Sequence, residues 1–300
     1  MRSRWVLLWT LTGVALWAQG TAPDQTPEAT FRSDTRLVVL NVSVFKDGKV
    51  VKDIPQSAFT VFENGDKQQI NVFRQEDAPI SLGLIIDNSA SMTDKRDRVA
   101  SAALAMVKAS NPQDEVFIIN FNEKAVLTRD FTNNLKDLEN TLRNIDSQGE
   151  TAMRDALLLG IEHLRHHASK DKKVLLVVTD GEDNSSVETQ AHLVQGAQQN
   201  DVIIYAIGLL GAEEPASAAR AKKQLDELTV ETGGRAWFPN DTAEIADITP
   251  DIAHEIRNQY ILAYTPSNLA ADGSFRKIRV DVNVPGVTVH TRSGYYAPRQ

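Results

Sequence analysis

The stretch Leu82-Gly83-Leu84-Ile85-Ile86-Asp87-Asn88-Ser89-Ala90-Ser91-Met92 decides the fold. From Leu82 to Ile86 the run is apolar with no polar alternation, the pattern of a strand buried on both faces of a parallel sheet. It ends on a carboxylate. Asp87, Ser89 and Ser91 then alternate along a loop, so three oxygen-bearing side chains can converge just past the carboxyl end of the strand. Open α/β sheets bind their ligands there.

One carboxylate and two hydroxyls offer oxygen and neither thiolate nor imidazole, which suits a hard divalent cation, Mg²⁺ first and Mn²⁺ or Ca²⁺ after it. A cation held this way keeps most of its charge and favours an anionic ligand in an open position. The sequence D-x-S-x-S after a hydrophobic strand resembles the metal ion-dependent adhesion site of von Willebrand factor type A domains. Two later stretches fit the same pattern: Gly149-Glu150-Thr151, and Val177-Val178-Thr179-Asp180-Gly181. The resemblance implies that Thr151 and Asp180 complete the site, directly or through water. D-x-S-x-S alone is common by chance, whereas five positions in strand or loop context are a specific signal. Taken singly, Thr151 and the serines read as helix caps and Asp180-Gly181 as an ordinary turn.

Around this stretch, residues 80–248 alternate between strand and helix patterns. Val116 to Phe121, Val174 to Thr179 and Val202 to Gly208 are further buried-strand candidates, Ala125 to Arg129 an antiparallel edge, and Arg235 to Phe238 a last strand. Helical periodicity covers Arg98 to Lys108, Leu135 to Ile145, Ala152 to His166, Thr189 to Gln199 and Ala216 to Glu231. The alternation implies an α/β domain with a doubly wound, mostly parallel sheet covered on both faces. Asp87 and Asp180 each follow a buried strand, so neighbouring strands would bring both carboxylates to one edge. Thr151 is expected to begin a helix, where free amides favour an anion.

The flanks read differently. Residues 35–79 alternate as β, with Val38, Leu40, Val42 and Val44 on one face and hairpin turns at Asp47-Gly48 and Asn64-Gly65. Residues 249–300 return to β, with Ile278, Val280, Val282 and Val284 alternating against Lys277, Arg279, Asp281 and Asn283. Each segment exposes an apolar face and is marginal alone, so the two are expected to pair as one small antiparallel sandwich with the α/β domain inserted between them. Tyr260-Ile261-Leu262-Ala263-Tyr264-Thr265-Pro266 and Arg292-Ser293-Gly294-Tyr295-Tyr296 resemble the tail of a bacterial von Willebrand factor A-related family first noted in acidobacteria.

At the start, Arg2 and Arg4 precede an apolar stretch from Trp5 to Trp17, and Ala18-Gln19-Gly20 supplies small residues for cleavage. Residues 1–20 therefore read as a secretory signal peptide, the stretch being short of the ~20 apolar residues of a spanning helix. Thr21 to Asp34 reads as a linker. The chain has no cysteine, which excludes disulfides and thiolate chemistry and suits an exported protein of the periplasm, cell envelope or medium. Loss of the leader, with its two Arg and no acid, moves the formal net charge from −8 to −10. Such a chain is a poor match for nucleic acid or anionic lipid.

Other constellations are weaker. His163, His166 and His167 place two imidazoles at i, i+4 without a third zinc ligand, and read as a solvated helix end. Asp87 lacks the second acid of a D-x-D-x-T phosphatase, and the serines lack the glycines of a G-x-S-x-G elbow. Glu182 and Asp183 read as solvated loop acids. The expectation is a non-enzymatic, exported binding module whose cation accepts an Asp or Glu carboxylate from a protein partner. The rival readings are a metal-dependent hydrolase and a scaffold with a purely structural cation.

Overall fold

The computed structural model describes residues 37–75, 77–109, 111–143 and 148–299, so the proposed leader and linker lie outside the described residues. The first alternating segment is strand β1 (Val38–Lys46), which buries Val38, Leu40, Val42 and Val44. Asp47 and Gly48 both take positive φ and turn β1 into β2 (Lys49–Val50), and Asn64-Gly65 does the same between β3 (Phe59–Glu63) and β4 (Asp66–Gln68). These are two-residue loops of the kind that match strand twist. Strand β5 (Ile70–Gln75) completes the N-terminal segment.

The α/β domain follows as β6 (Ile80–Asp87), α1 (Arg96–Ala109), β7 (Glu115–Phe121), β8 (Ala125–Thr132), α2 (Leu135–Arg143), α3 (Met153–His167), β9 (Lys172–Thr179), α4 (Gln190–Gln199), β10 (Val202–Gly208), α5 (Pro215–Thr232), β11 (Ala236–Trp237) and α6 (Ile245–Arg257). Its sheet has the order β11-β10-β9-β6-β7-β8, parallel except for β8. Every residue of β6 is buried. Leu82, Leu84 and Ile86 face Val99, Met106, Leu138, Ile252 and Ile256 on one side, while Ile85 faces Phe117, Leu157 and Ile161 on the other. Gly83 lies on that second face, where a Cβ would come within 2.3 Å of Phe117 and 2.5 Å of Leu175, so glycine is required for close approach. From β6 the chain steps to β7 on one side and only later to β9 on the other. The β6/β9 seam is thus the point where strand order reverses.

Helix α6 corrects one expectation. The sequence reading returns to β after about Thr249, and Pro250 is a residue that removes a backbone donor from a helix. The helix instead runs on to Arg257 and packs against α1, so residue 248 is no boundary of the helical layer. The Thr249 hydroxyl donates to the carbonyls of Ile245 (2.9 Å) and Ala246 (3.3 Å), the latter being the acceptor that Pro250 leaves without its amide.

Strands β12 (Tyr260–Tyr264), β13 (Phe275–Val282), β14 (Val287–His290) and β15 (Gly294–Tyr296) then join the first five in two antiparallel sheets, β14-β1-β12-β5, with β2 at the side of β1, and β15-β13-β3-β4. Each sheet mixes the two flanking segments: Leu40 sits opposite Leu262, and Val61 opposite Val280. The facing sides share one core built on Leu40, Val42, Val61, Tyr260, Leu262 and Ile278. Its polar atoms are tied, since the hydroxyls of Tyr264 (2.8 Å) and Tyr295 (3.0 Å) both donate to buried Glu63. Val284, expected on β13, falls beyond its end and is half-buried. The chain leaves the sandwich from β5 and returns in β12, and these strands pair with Gln75 opposite Tyr260.

Candidate metal centre

Because Ile86 is paired with Val178, the ends of β6 and β9 deliver Asp87 and the Thr179-Asp180 pair side by side at the strand-order reversal. Asp87 is fully buried. Its Oδ1 accepts the Ser89 amide at 2.8 Å and its Oδ2 accepts the Thr179 hydroxyl at 2.6 Å. A turn of 3-10 helix over Ala90–Met92, anchored by buried Met92, brings the Ser91 hydroxyl to 3.1 Å from that of Ser89. Ser91 in turn donates to Asp180 Oδ1 at 2.8 Å, and Lys95 forms an ion pair with Asp180 Oδ2. Burial pushes the Asp87 carboxyl up to about 6, against the lowering pull of the Thr179 and Ser89 hydrogen bonds; the nearby Asp180 charge adds to the rise.

The surrounding loops are locked to one another. Asn88 accepts the Gln148 amide at 2.9 Å, and Ala90 donates to the Gly149 carbonyl at 3.3 Å. Thr151 is buried between two loops: its amide donates to Asn184 Oδ1, and its carbonyl accepts the amides of Asn184 and Ser185. Asp87, Ser89, Ser91 and Asp180 thus form one hydrogen-bonded chain. Thr151 stands in the adjoining loop, and among the described residues its hydroxyl bonds to none of the four. It precedes α3 by two positions rather than beginning it, with Ala152 at the cap.

Several residues at the site escape sequence reading. Lys95 and Thr179 bind the two carboxylates directly. Asp183, expected as a solvated acid, is buried: it accepts the Arg154 amide at 2.8 Å, pairs with the Arg154 guanidinium at 3.3 Å and accepts the Ser186 hydroxyl at 2.8 Å. Glu182 is half-buried and held by Arg220 at 2.9 Å. Asp183 lies well before α4 and accepts instead from the first turn of α3 at Arg154, so nothing local in the sequence marks its role. His163 is likewise not a solvated helix end. It stacks on Phe131 with centroids 5.1 Å apart and lies 3.0 Å from Asp130, while His166 and His167 remain outside.

The donor set fits a hard divalent cation: two carboxylates and two hydroxyls converge, no soft ligand is present, and the Lys95 ammonium already sits on one carboxylate as a stand-in positive charge. Asp87, Ser89, Ser91 and Asp180, with Thr151 beside them, are the residues that would hold it.

Both acids stand at the carboxyl ends of neighbouring parallel strands, the edge at which open α/β sheets bind ligands. Residues 82–182 match the von Willebrand factor type A domain family, and the α/β layer of this chain is such a domain. Solved structures agree on the fold. A von Willebrand factor type A protein from Catenulispora acidiphila superposes with TM-score 0.52 at 14% identity, covering 90% of this chain and 76% of that one. Proximal thread matrix protein 1 from the mussel byssus, solved with a zinc-occupied MIDAS motif, gives 0.50 at 17% identity over 65% of this chain and 49% of its own. The uncharacterized protein sll0103 of Synechocystis sp. is 27% identical over 108 residues, 35% of this chain, which spans only 26% of that relative's length. No helix among the described residues is long and apolar enough to cross a membrane.

Proposed function

We propose that this protein is an exported, non-enzymatic binding module that holds a divalent cation, Mg²⁺ first, on Asp87, Ser89, Ser91, Thr151 and Asp180, and uses it to capture an Asp or Glu carboxylate of a protein partner. The observation that carries the reading is the hydrogen-bonded chain from Asp87 through both serines to Asp180 at the strand-order reversal. Two carboxylates formally balance a divalent cation, so capture of an anion would rest on an open coordination position, where the cation would supply a Lewis-acidic contact. The zinc-occupied MIDAS motif of the byssus protein supports a divalent cation at this place in the fold. The alternating flanks and the Tyr260 and Tyr295 tail motifs support membership of the bacterial family first noted in acidobacteria, and the basic, then apolar N-terminal sequence supports export.

Calorimetric titration with Mg²⁺ tests the metal. Binding should be lost in Asp87→Ala and weakened in Ser89→Ala or Ser91→Ala, with the fold retained because the loops stand on a rigid sheet. A pull-down from envelope extract in Mg²⁺, in EDTA and with Asp87→Ala then tests capture. Unchanged Mg²⁺ binding in Asp87→Ala overturns the assignment, and a partner retained in EDTA overturns the metal-dependent capture.

A further inference from the structure

Lys95 stands where local chemistry disfavours it. Its amide donates to Met92 and its carbonyl accepts the Val99 amide, which fixes it at the N-terminal end of α1, directly before Arg96. Free amides at a helix start carry partial positive charge, so a cation there is unfavourable and a carboxylate is preferred. The compensation comes from 85 residues away: the Lys95 ammonium pairs with Asp180 Oδ2. Asp180 is fully buried, and the Lys95 side chain is only 16% exposed. Among the described residues the other acid of the cluster has no ion-pair partner. Both oxygens of Asp87 are met by neutral donors, the Ser89 amide and the Thr179 hydroxyl. The cluster therefore contains two carboxylates and one built-in cation, joined to the serines through Asp180.

We propose that the Lys95 ammonium is a tethered competitor for the metal: it neutralises Asp180 when no divalent cation is bound and must move off Oδ2 for one to bind. The inference rests on the metal-site reading above and adds its regulation. Two consequences follow from the charges. Without metal, Lys95 stabilises the fold, because removing it strands a buried carboxylate. With metal, Lys95 weakens affinity, because its positive charge lies a few ångströms from the incoming one and its ion pair with Asp180 has to break. The four-carbon stem lets it withdraw toward solvent, so the effect is on affinity and leaves coordination possible.

The test compares wild type, Lys95→Met, Lys95→Arg and Asp87→Ala in the full chain by two readouts, Mg²⁺ calorimetry and thermal melting in EDTA. Lys95→Met should bind Mg²⁺ at least about tenfold more tightly than wild type. It should also melt lower than wild type in EDTA. Lys95→Arg keeps the charge and should stay near wild type in both. If Lys95→Met folds only with the cation present, the Mg²⁺ midpoint of its refolding takes the place of the calorimetric constant and must lie below the wild-type value. Lys95→Met binding no more tightly than wild type, while Asp87→Ala abolishes binding, overturns the competitor and leaves the metal site standing. Binding absent from every chain, or indifferent to Asp87, overturns both.

Discussion

Glu255 is a buried acid of α6, apart from those of the metal centre. It lies in the last turn of α6, with Arg235 3.8 Å from one oxygen, while its Oε1 has no hydrogen-bond partner among the described residues. Burial pushes its carboxyl from 4.5 up to about 7. Below pH 4.5 both folded and unfolded chains hold the proton and the burial cost is avoided. Between 4.5 and about 7 the folded state holds a proton that the unfolded state has lost, so stability falls as pH rises, by up to about 3 kcal/mol in all. Glu255→Gln should abolish this limb. In urea melts it is expected to match wild type at pH 4 and exceed it at pH 8, and an equal difference at both would show that the titration is not the cause. At this scale the candidate site was legible where its chemistry is local. Asp87, Ser89 and Ser91 announce themselves by alternation after a strand. Lys95 and Asp183 do not, because what gives them meaning is a partner 85 or 29 residues away.

Among the elements, β6 was read almost to its ends, since a fully buried strand has no competing explanation for its apolar run. The five helices with clear periodicity also appear within a few residues of their expected limits. Helix α6 was not legible: Pro250 opposes a helix locally, and a threonine hydroxyl together with packing on α1 outweighed it. The tight fit of β6 makes a prediction of its own. Gly83→Ala drives a methyl into the Phe117 ring from one neighbouring strand and Leu175 from the other, positions that the sheet register fixes. Overpacking of this kind costs about 1–3 kcal/mol. Equilibrium denaturation should show that loss, and Mg²⁺ affinity should fall with it if the strand end shifts; a variant as stable as wild type would mean that the two side chains can yield.

In the whole molecule, the α/β domain and the sandwich have separate apolar cores. Leu40→Ala, at a fully buried sandwich position, should cost about 2–4 kcal/mol. Amide exchange should then accelerate together in β1, β12, β3 and β13 while β6 and β9 keep their protection. Equal loss in β6 would instead show one cooperative unit. That the flanking segments needed each other was legible from two one-sided apolar faces. Which strand pairs with which was not, because antiparallel pairing across some 200 residues leaves no mark in either segment beyond alternation.

The register of β1 against β12 carries a mechanical meaning. Val38 is paired with Tyr264 and Val42 with Tyr260, while the α/β domain hangs from the chain at Tyr260 and, through β5, at Gln75 opposite it. Tension between the segment that precedes Leu37 and a load on the α/β domain therefore draws β1 and β12 from opposite ends of their shared ladder. That is shear. All five residue pairs resist at once, where peeling from one end would part them in turn, and the sandwich becomes a clasp that holds hardest along that line.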